Sequence, residues 1–200
     1  MEIKNTNSNM DKLNTYIQIY DNLLPEKTLK IFTKFCTNDL KFKNATVVKE
    51  DGTTEVDKKI RNVETYYCSN LNDLSFSVVH WTNYMQYMVN EKIKKYAKDL
   101  EINFGVTIND IQILKYVPGG FYKFHIDHGS AIPRTLSMIY FINDDYEGGD
   151  LHFKLWKENK IIQIDKKSNR LIIWPSNFMY PHAVQPVTKG TRYSMVLWAL

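Results

Sequence analysis

The chain has 200 residues, of which 44% are apolar and 14% aromatic, and its 26 basic and 22 acidic residues give a net charge of +4. This composition is typical of a globular protein and excludes the collagen-like and disordered classes. The charge is too small to argue for nucleic-acid binding. Two cysteines cannot form the disulfide framework of a small secreted domain or a cysteine zinc cluster, so we expect Cys36 and Cys68 to be reduced and partly buried.

No apolar stretch is long enough to span a membrane, and the polar start, residues 1–14, lacks the apolar core of a signal peptide. We therefore expect a soluble, cytoplasmic protein without membrane contacts. Arginine is rare among the basic residues, and where a lysine-rich chain uses it, the planar guanidinium can be the reason. The four arginines are Arg61, Arg134, Arg170 and Arg192.

The N-terminal half combines helical and strand patterns. Residues 1–14 are predicted to be flexible, and residues 15–105 to form a strand with supporting helices. In chain order, the predicted elements are a strand at 16–20, a helix at 25–37, a loop or hairpin at 41–59 with a turn at Asp51-Gly52, a strand at 61–67 and a long helix at about 74–100.

From residue 106 to residue 200, the pattern becomes that of an all-β protein. Short segments rich in Val, Ile, Leu, Tyr and Phe alternate with Gly and Pro turns, which predicts an antiparallel sandwich, barrel or jelly roll. No linker separates the halves, so we expect one α+β, mainly β domain over 1–200. The predicted strands are 111–116, 121–126, 135–143, 150–153, 161–165, 170–174, 183–187 and 193–199.

Three residues are candidates for a metal site. His125 and Asp127 are two positions apart at a predicted strand end, so their side chains can converge on one point. His182, from a distant strand, can complete a set of two imidazoles and one carboxylate, which is the facial triad of non-haem Fe(II) oxygenases. The spacing alone also fits a hydrogen-bonded histidine and a loop aspartate.

Arg192 is a candidate anion-binding residue. On the predicted strand 193–199 and the residue before it, Arg192, Ser194, Val196 and Trp198 share one face. An arginine on an inward face needs a buried anion, and the carboxylate of a co-substrate would match the guanidinium in two hydrogen bonds. A salt bridge with a protein carboxylate at the barrel rim is the alternative.

The C-terminal half resembles the Fe(II)/2-oxoglutarate-dependent dioxygenase superfamily, and within it the prolyl 4-hydroxylase-like branch. The resemblance covers about 111–198 and implies a double-stranded β-helix of the jelly-roll type. The matching motifs are Tyr116-x-x-Gly119-Gly120, Tyr122, His125-x-Asp127, Arg134-Thr135-Leu136-Ser137, Tyr140-Phe141-Ile142-Asn143, Gly148-Gly149-Asp150-Leu151, Trp174-Pro175-Ser176, His182-x-Val184-x-Pro186-Val187, Gly190-x-Arg192-Tyr193-Ser194 and Trp198.

The resemblance implies a role for each site residue. His125, Asp127 and His182 would hold Fe(II) as the catalytic centre, Arg192 would bind the distal carboxylate of 2-oxoglutarate, and Tyr116 would line the co-substrate or substrate pocket.

One family position differs in this chain. Family members often place a second tyrosine where this chain has Phe141, so the hydroxyl that would complete the carboxylate site is missing there. Tyr140 is one position away and faces the other side, whereas Ser194 shares the face of Arg192 and can replace the hydroxyl. Arg134 matches a further family position and is a candidate substrate contact.

The implied activity is a dioxygenase that uses Fe(II), 2-oxoglutarate and O₂, with ascorbate as reductant. It would hydroxylate an unactivated C–H bond of a peptidyl side chain, with proline as the first candidate residue, and release succinate and CO₂. A free amino acid or small molecule is the alternative substrate. Nucleobase-repair relatives carry a second arginine where this chain has Trp198, so a nucleic-acid partner is not expected.

Two hypotheses of other classes stay open. The first is a cupin-like metal protein without 2-oxoglutarate turnover, in which Arg192 binds a substrate carboxylate. The second is a jelly-roll binding module without turnover. Nothing in the sequence indicates the oligomeric state.

Overall fold

The computed structural model describes residues 13–48, 53–69, 75–130, 132–156 and 160–200. Two α-helices cover one face of the molecule, α1 (Glu26–Asn38) and α2 (Phe76–Asp99). Pro25 precedes α1 with φ fixed at −57°, which suits a helix start. The hydroxyl of Ser75 accepts a hydrogen bond from the Val78 N–H at 3.2 Å and so caps α2.

The larger sheet is fully antiparallel and packs against the helices. Its strands are β1 (Gln18–Asp21), β2 (Lys43–Asn44), β6 (Glu64–Tyr67), β7 (Ile108–Tyr116), β9 (Leu136–Phe141), β13 (Arg170–Pro175) and β16 (Arg192–Ala199). Their order across the sheet is β1-β13-β9-β16-β7-β6-β2. Strand β16 is therefore paired on both edges, with β7 and with β9.

The smaller sheet faces the larger one. Its strands are β5 (Arg61–Asn62), β8 (Phe121–His125), β11 (Leu151–Leu155), β12 (Lys160–Ile164) and β14 (His182–Val184), in the order β12-β11-β14-β8-β5. Two short antiparallel pairs join loops, namely β3 (Val47–Val48) with β4 (Thr54–Glu55), and β10 (Glu147–Gly148) with β15 (Val187–Lys189).

Two apolar cores lie on opposite faces of the larger sheet. One fills the space between this sheet and the helices and contains Phe32, Trp81 and Met195. The other fills the space between the two sheets and contains Phe153, Trp174 and Val196. Because both faces are covered, all six residues of β9 are buried although their side chains alternate in direction.

The jelly-roll, mainly β fold predicted from the sequence is confirmed, and Cys36 and Cys68 are free and buried as expected. Residues 1–12, the Asp51-Gly52 turn and Leu74 at the predicted start of the long helix lie outside the described residues. None of the helices in the described ranges has the length and apolar character that a membrane crossing requires.

Two predicted strands are divided in the structure. The segment 61–67 contributes β5 to one sheet and β6 to the other, because the chain passes between the sheets at Val63. The segment 183–187 is divided into β14 and β15, because Pro186 has no N–H for the ladder. Gly148 lies against the same segment, and its φ is +66°. A Cβ at this position would collide with the Pro186 carbonyl oxygen, so glycine is required there.

An ion pair holds the edge strand β1 in register with β13. Arg170 Nε donates to Asp21 Oδ1 at 2.7 Å, and Lys167 Nζ donates to Asp21 Oδ2 at 2.9 Å. The hydrogen bond from Arg170, followed by that from Lys167, lowers the pKa of Asp21 from 3.8 to about 2. Because the pKa is lower in the folded state, the stabilisation is present above the ordinary pKa and is lost as the pH falls toward 2.

We therefore expect Asp21→Asn to lower the free energy of unfolding by about 1 kcal/mol at pH 7, a value that allows for solvent screening of this partly exposed pair. The difference from wild type should shrink as the pH falls from about 4 to about 2. Urea unfolding of both proteins at several pH values measures this difference in the free energy of unfolding. Glu26→Gln, which breaks the exposed Glu26–Lys30 pair, is the control and should change nothing measurable, and equal stability of Asp21→Asn and wild type at pH 7 would contradict the expectation.

Candidate metal centre

The two histidines of the candidate triad are direct partners across two strands. His125 ends β8, His182 begins β14, and the two residues are opposite each other in the antiparallel register. The next paired residues are Tyr122 and Val184, so β8 spans three steps where β14 spans two. This extra residue is a β-bulge, and it allows Tyr122 and His125 to lie on the same side of the strand although they are three positions apart.

Asp127 follows β8 and completes the cluster. Its Oδ1 is 3.6 Å from His125 Nε2, and its Oδ2 is 3.4 Å from His182 Nε2. One ligand atom from each of the three residues lies within 4.8 Å of the other two. Among the described residues, these three form the group whose geometry could hold a metal ion. The structure thus brings together the three residues that the sequence singles out.

Backbone carbonyls fix the orientation of both imidazoles. His125 Nδ1 is 2.8 Å from the Lys123 carbonyl oxygen, and His182 Nδ1 is 3.1 Å from the Tyr180 carbonyl oxygen. Because a carbonyl oxygen only accepts, each Nδ1 carries the hydrogen and each Nε2 keeps its lone pair. Both lone pairs belong to the nitrogens that face Asp127, which is the tautomer a metal ion needs.

Burial and charge set the protonation of this cluster. Burial, together with the neighbouring His182, holds the pKa of His125 well below its ordinary value. Burial alone would raise the pKa of Asp127, but His182, His125, a hydrogen bond from Trp198 and the charge of Arg134 outweigh it, so the net shift of this pKa is downward. The imidazole is therefore neutral and the carboxylate ionised at neutral pH, as metal ligands must be.

Two buried serines support the Asp127 carboxylate. Ser137 Oγ is 2.7 Å from Asp127 Oδ2 and 2.7 Å from Ser176 Oγ. The carboxylate only accepts, so the hydroxyl hydrogen of Ser137 is used on Asp127, and Ser176 must donate to Ser137. The sequence motifs contain both serines, but their spacing in the chain gives no sign that they meet.

Arg192 is fully buried beside this cluster. Its Nη1 donates to Ser194 Oγ at 3.0 Å. Its Nε and Nη2 have no hydrogen-bond partner among the described residues. The guanidinium lies 4.9 Å from the centre of the Tyr116 ring and 5.2 Å from that of Phe141. Two donors of one buried cation are therefore available to a ligand.

Two other predicted positions are resolved by the structure. The Tyr140 hydroxyl donates to Asn169 Oδ1 at 2.9 Å on the helix side of the sheet, so Tyr140 does not contribute to the carboxylate site. The guanidinium of Arg134 lies 3.7 Å from the ring centre of Trp198, with Nη1 3.7 Å from Asp127 Oδ1 and Nη2 3.5 Å from Asp110 Oδ2. Arg134 thus borders the metal cluster.

The triad and Arg192 line one cavity of about 380 Å³, counting its open mouth. Arg61, for which the sequence predicts no role, also lines this cavity and lies 4.9 Å from the centre of the Tyr122 ring. The Tyr122 ring in turn stacks on His125 at 3.6 Å. The rarity of arginine was the signal that pointed to Arg61, but the segment that carries it shows no pattern of a site.

Comparison with protein families identifies this part of the chain. Residues 111–200 match the model of the 2OG-Fe(II) oxygenase superfamily. The resemblance that the sequence motifs indicate is therefore confirmed.

Curated relatives agree with this match, and solved structures share the fold. The chain is 35% identical over 98 residues to a PKHD-type hydroxylase of Synechococcus sp. (strain CC9902), a match that covers 46% of the chain and 41% of the relative. It is 36% identical over 66 residues to human prolyl 3-hydroxylase 2, covering 32% of the chain and 9% of that protein. The chain thus spans less than half the length of these relatives.

Among solved structures, a prolyl hydroxylase from Trichoplax adhaerens, in complex with a peptide fragment of the hypoxia inducible factor oxygen degradation domain, has the same fold. The TM-score is 0.74 at 23% sequence identity, and the match covers 94% of this chain and 85% of that chain.

The serine pair gives a test of how the candidate metal site is held in place. We expect Ser137→Ala to raise the dissociation constant for Mn(II) roughly 10- to 100-fold, because groups that orient metal ligands have effects of this size. A titration followed by the electron paramagnetic resonance of free Mn(II) measures it. Ser137→Thr keeps the hydroxyl and should bind more tightly than Ser137→Ala.

Ser168→Ala is the matched control, since its hydroxyl donates to the Ile142 carbonyl outside the metal cluster. Mn(II) affinities that are equal in wild type and Ser137→Ala would show that Asp127 needs no support from Ser137.

Proposed function

We propose that this protein is an Fe(II)- and 2-oxoglutarate-dependent dioxygenase that hydroxylates an unactivated C–H bond of a peptidyl side chain and releases succinate and CO₂. The observation that carries the proposal is the pairing, in one cavity, of the His125–Asp127–His182 cluster with a fully buried arginine that has two free donors.

The donor set fits iron. Two neutral imidazole nitrogens and one carboxylate oxygen make a three-ligand site with open positions, the arrangement of non-haem Fe(II) oxygenases. His125, Asp127 and His182 would hold the metal. When bound, iron and 2-oxoglutarate supply the activation of O₂ and the oxidation of the substrate, and ascorbate would keep the iron reduced.

The environment of Arg192 fits a dicarboxylate. A buried, unpaired guanidinium is unfavourable, and the free Nε and Nη2 are the two adjacent donors that a carboxylate accepts side by side. Ser194 fixes the third nitrogen of the guanidinium at 3.0 Å. This supports the role of Arg192 and Ser194 in binding the distal carboxylate, with the Tyr116 ring packed against the guanidinium.

Apolar side chains line the space between the metal cluster and Arg192. Trp174 packs edge-on against His182 at 4.9 Å between ring centres, and Val184 and Val196 line the same cavity. A dry lining protects a reactive centre from side reactions and strengthens the charge interactions inside it.

A peptidyl substrate is favoured over a free amino acid by the relatives. The names of the curated relatives specify hydroxylases, among them a prolyl 3-hydroxylase, and the Trichoplax structure contains a bound peptide. Arg134, stacked on Trp198 beside Asp127, is the residue we expect to contact the substrate.

The enzyme class is tested without knowledge of the substrate. Anaerobic titration with Fe(II) and then 2-oxoglutarate should produce the visible charge-transfer band of the chelate. Arg192→Ala should weaken 2-oxoglutarate binding roughly 30-fold or more, because it removes the charged partner of a buried carboxylate, and should leave Fe(II) affinity nearly unchanged. Bound iron without a band would instead support a metal protein of this fold that does not use 2-oxoglutarate.

The substrate class is tested by turnover. We expect a peptide of alternating alanine and proline to increase succinate formation above the substrate-free rate, and free L-proline to leave that rate unchanged. Mass spectrometry should find the added oxygen on the peptide. Stimulation by free L-proline alone would favour a small-molecule hydroxylase.

A further inference from the structure

Tyr146 carries a buried hydroxyl that the site described so far does not use. The residue lies between β9 and β10 and is 4% exposed. Its Oη has no hydrogen-bond partner among the described residues. Buried hydroxyl groups are almost always hydrogen-bonded, so one without a partner requires an explanation.

The hydroxyl belongs to a side chain that meets Arg192. A Cβ added to Gly149 would lie 3.1 Å from Arg192 Cδ and 3.1 Å from Tyr146 Cε2. The two side chains therefore converge over the same bare glycine, with Cδ next to the free Nε of Arg192 and Cε2 next to the carbon that bears the free hydroxyl. Arg192 also acts on the Tyr146 hydroxyl at short range: burial raises the Tyr146 pKa, and the positive charge and the nearby donors of Arg192 oppose that rise.

Lys166 holds the tyrosine from the other end. Its Nζ donates to the Tyr146 carbonyl oxygen at 2.5 Å and lies 4.7 Å from the centre of the ring. The ring is thus fixed by protein contacts, while its hydroxyl is not. Free polar atoms on two adjacent, fully packed side chains indicate one shared ligand rather than two separate packing defects.

We propose that Tyr146 is a co-substrate-binding residue whose hydroxyl donates to the same distal carboxylate that Arg192 binds through Nε and Nη2. The inference rests on the proposed function. It assigns to Tyr146 the phenolic hydroxyl that the family resemblance places at position 141, where this chain has phenylalanine. A carboxylate has about four acceptor sites, enough for two donors of Arg192 and one of Tyr146.

The arrangement makes Tyr146 a determinant of selectivity among 2-oxo acids. A co-substrate that ends in a carboxylate satisfies Tyr146 and Arg192 together. One that lacks the distal carboxylate, such as pyruvate, leaves the buried hydroxyl and guanidinium unpaired, which disfavours its binding.

The test measures the binding of 2-oxo acids to the Tyr146→Phe variant loaded with Mn(II), and it does not depend on turnover. The dissociation constant for 2-oxoglutarate should rise roughly 10- to 100-fold, the effect of losing one hydrogen bond to a charged group. The dissociation constant for pyruvate should stay as in wild type. Without ligand, the variant should unfold at the same temperature as wild type or higher, because the hydroxyl it loses has no partner. Its thermal shift with 2-oxoglutarate should be smaller.

Tyr140→Phe is the matched control. It also removes one buried tyrosine hydroxyl, but one that bonds Asn169 on the helix side, so it should lower thermal stability and leave the affinity for 2-oxoglutarate unchanged. The inference is overturned if Tyr146→Phe binds 2-oxoglutarate as wild type does, or if pyruvate binding weakens equally. A wild-type chain that binds no 2-oxoglutarate would refute the proposed function, and the role of Tyr146 with it.

Discussion

Strand β16 is buried on both faces and paired on both edges, and this constraint governs what the rest of the structure can do. Met195, Leu197 and Ala199 point to the helices, where they join an apolar core. Arg192 and Ser194 point to the smaller sheet. A central strand cannot tilt to expose one side chain without breaking two ladders, so the Arg192 charge is fixed away from water. A charge buried in this way is stable only when a complementary anion pairs with it.

The same alternation explains why much of the site is visible in the sequence. Strand side chains repeat every second residue, so the shared face of Arg192 and Ser194 follows from the local pattern. The pair His125 and Asp127 is visible for a similar reason, and the punctuation by glycine and proline marks the jelly-roll strands. For His182 the sequence offers a candidate, and only the family motifs connect it with the other two ligands.

The features that the sequence does not reveal depend on contacts between distant segments. Ser137 and Ser176 are 39 positions apart and meet because β9 and β13 are neighbours. Tyr146 meets Arg192 only because Gly149 leaves room for both. The division of 61–67 between two sheets is also a property of the assembled sandwich, since every residue in it is compatible with one continuous strand. Local secondary-structure propensity carries no information about such tertiary contacts.

The pairing of His125 with His182 has a mechanical consequence for the smaller sheet. These residues end β8 and begin β14, and they are directly opposite each other. A cation held by both imidazoles acts as a cross-link between the two strands, as a disulfide does between two cysteines. The ligand geometry then exists only while the strands stay paired, so release of the ion and fraying of this sheet edge are one coupled equilibrium. Retention of a metal ion at the triad would therefore report how stably β8 and β14 stay paired.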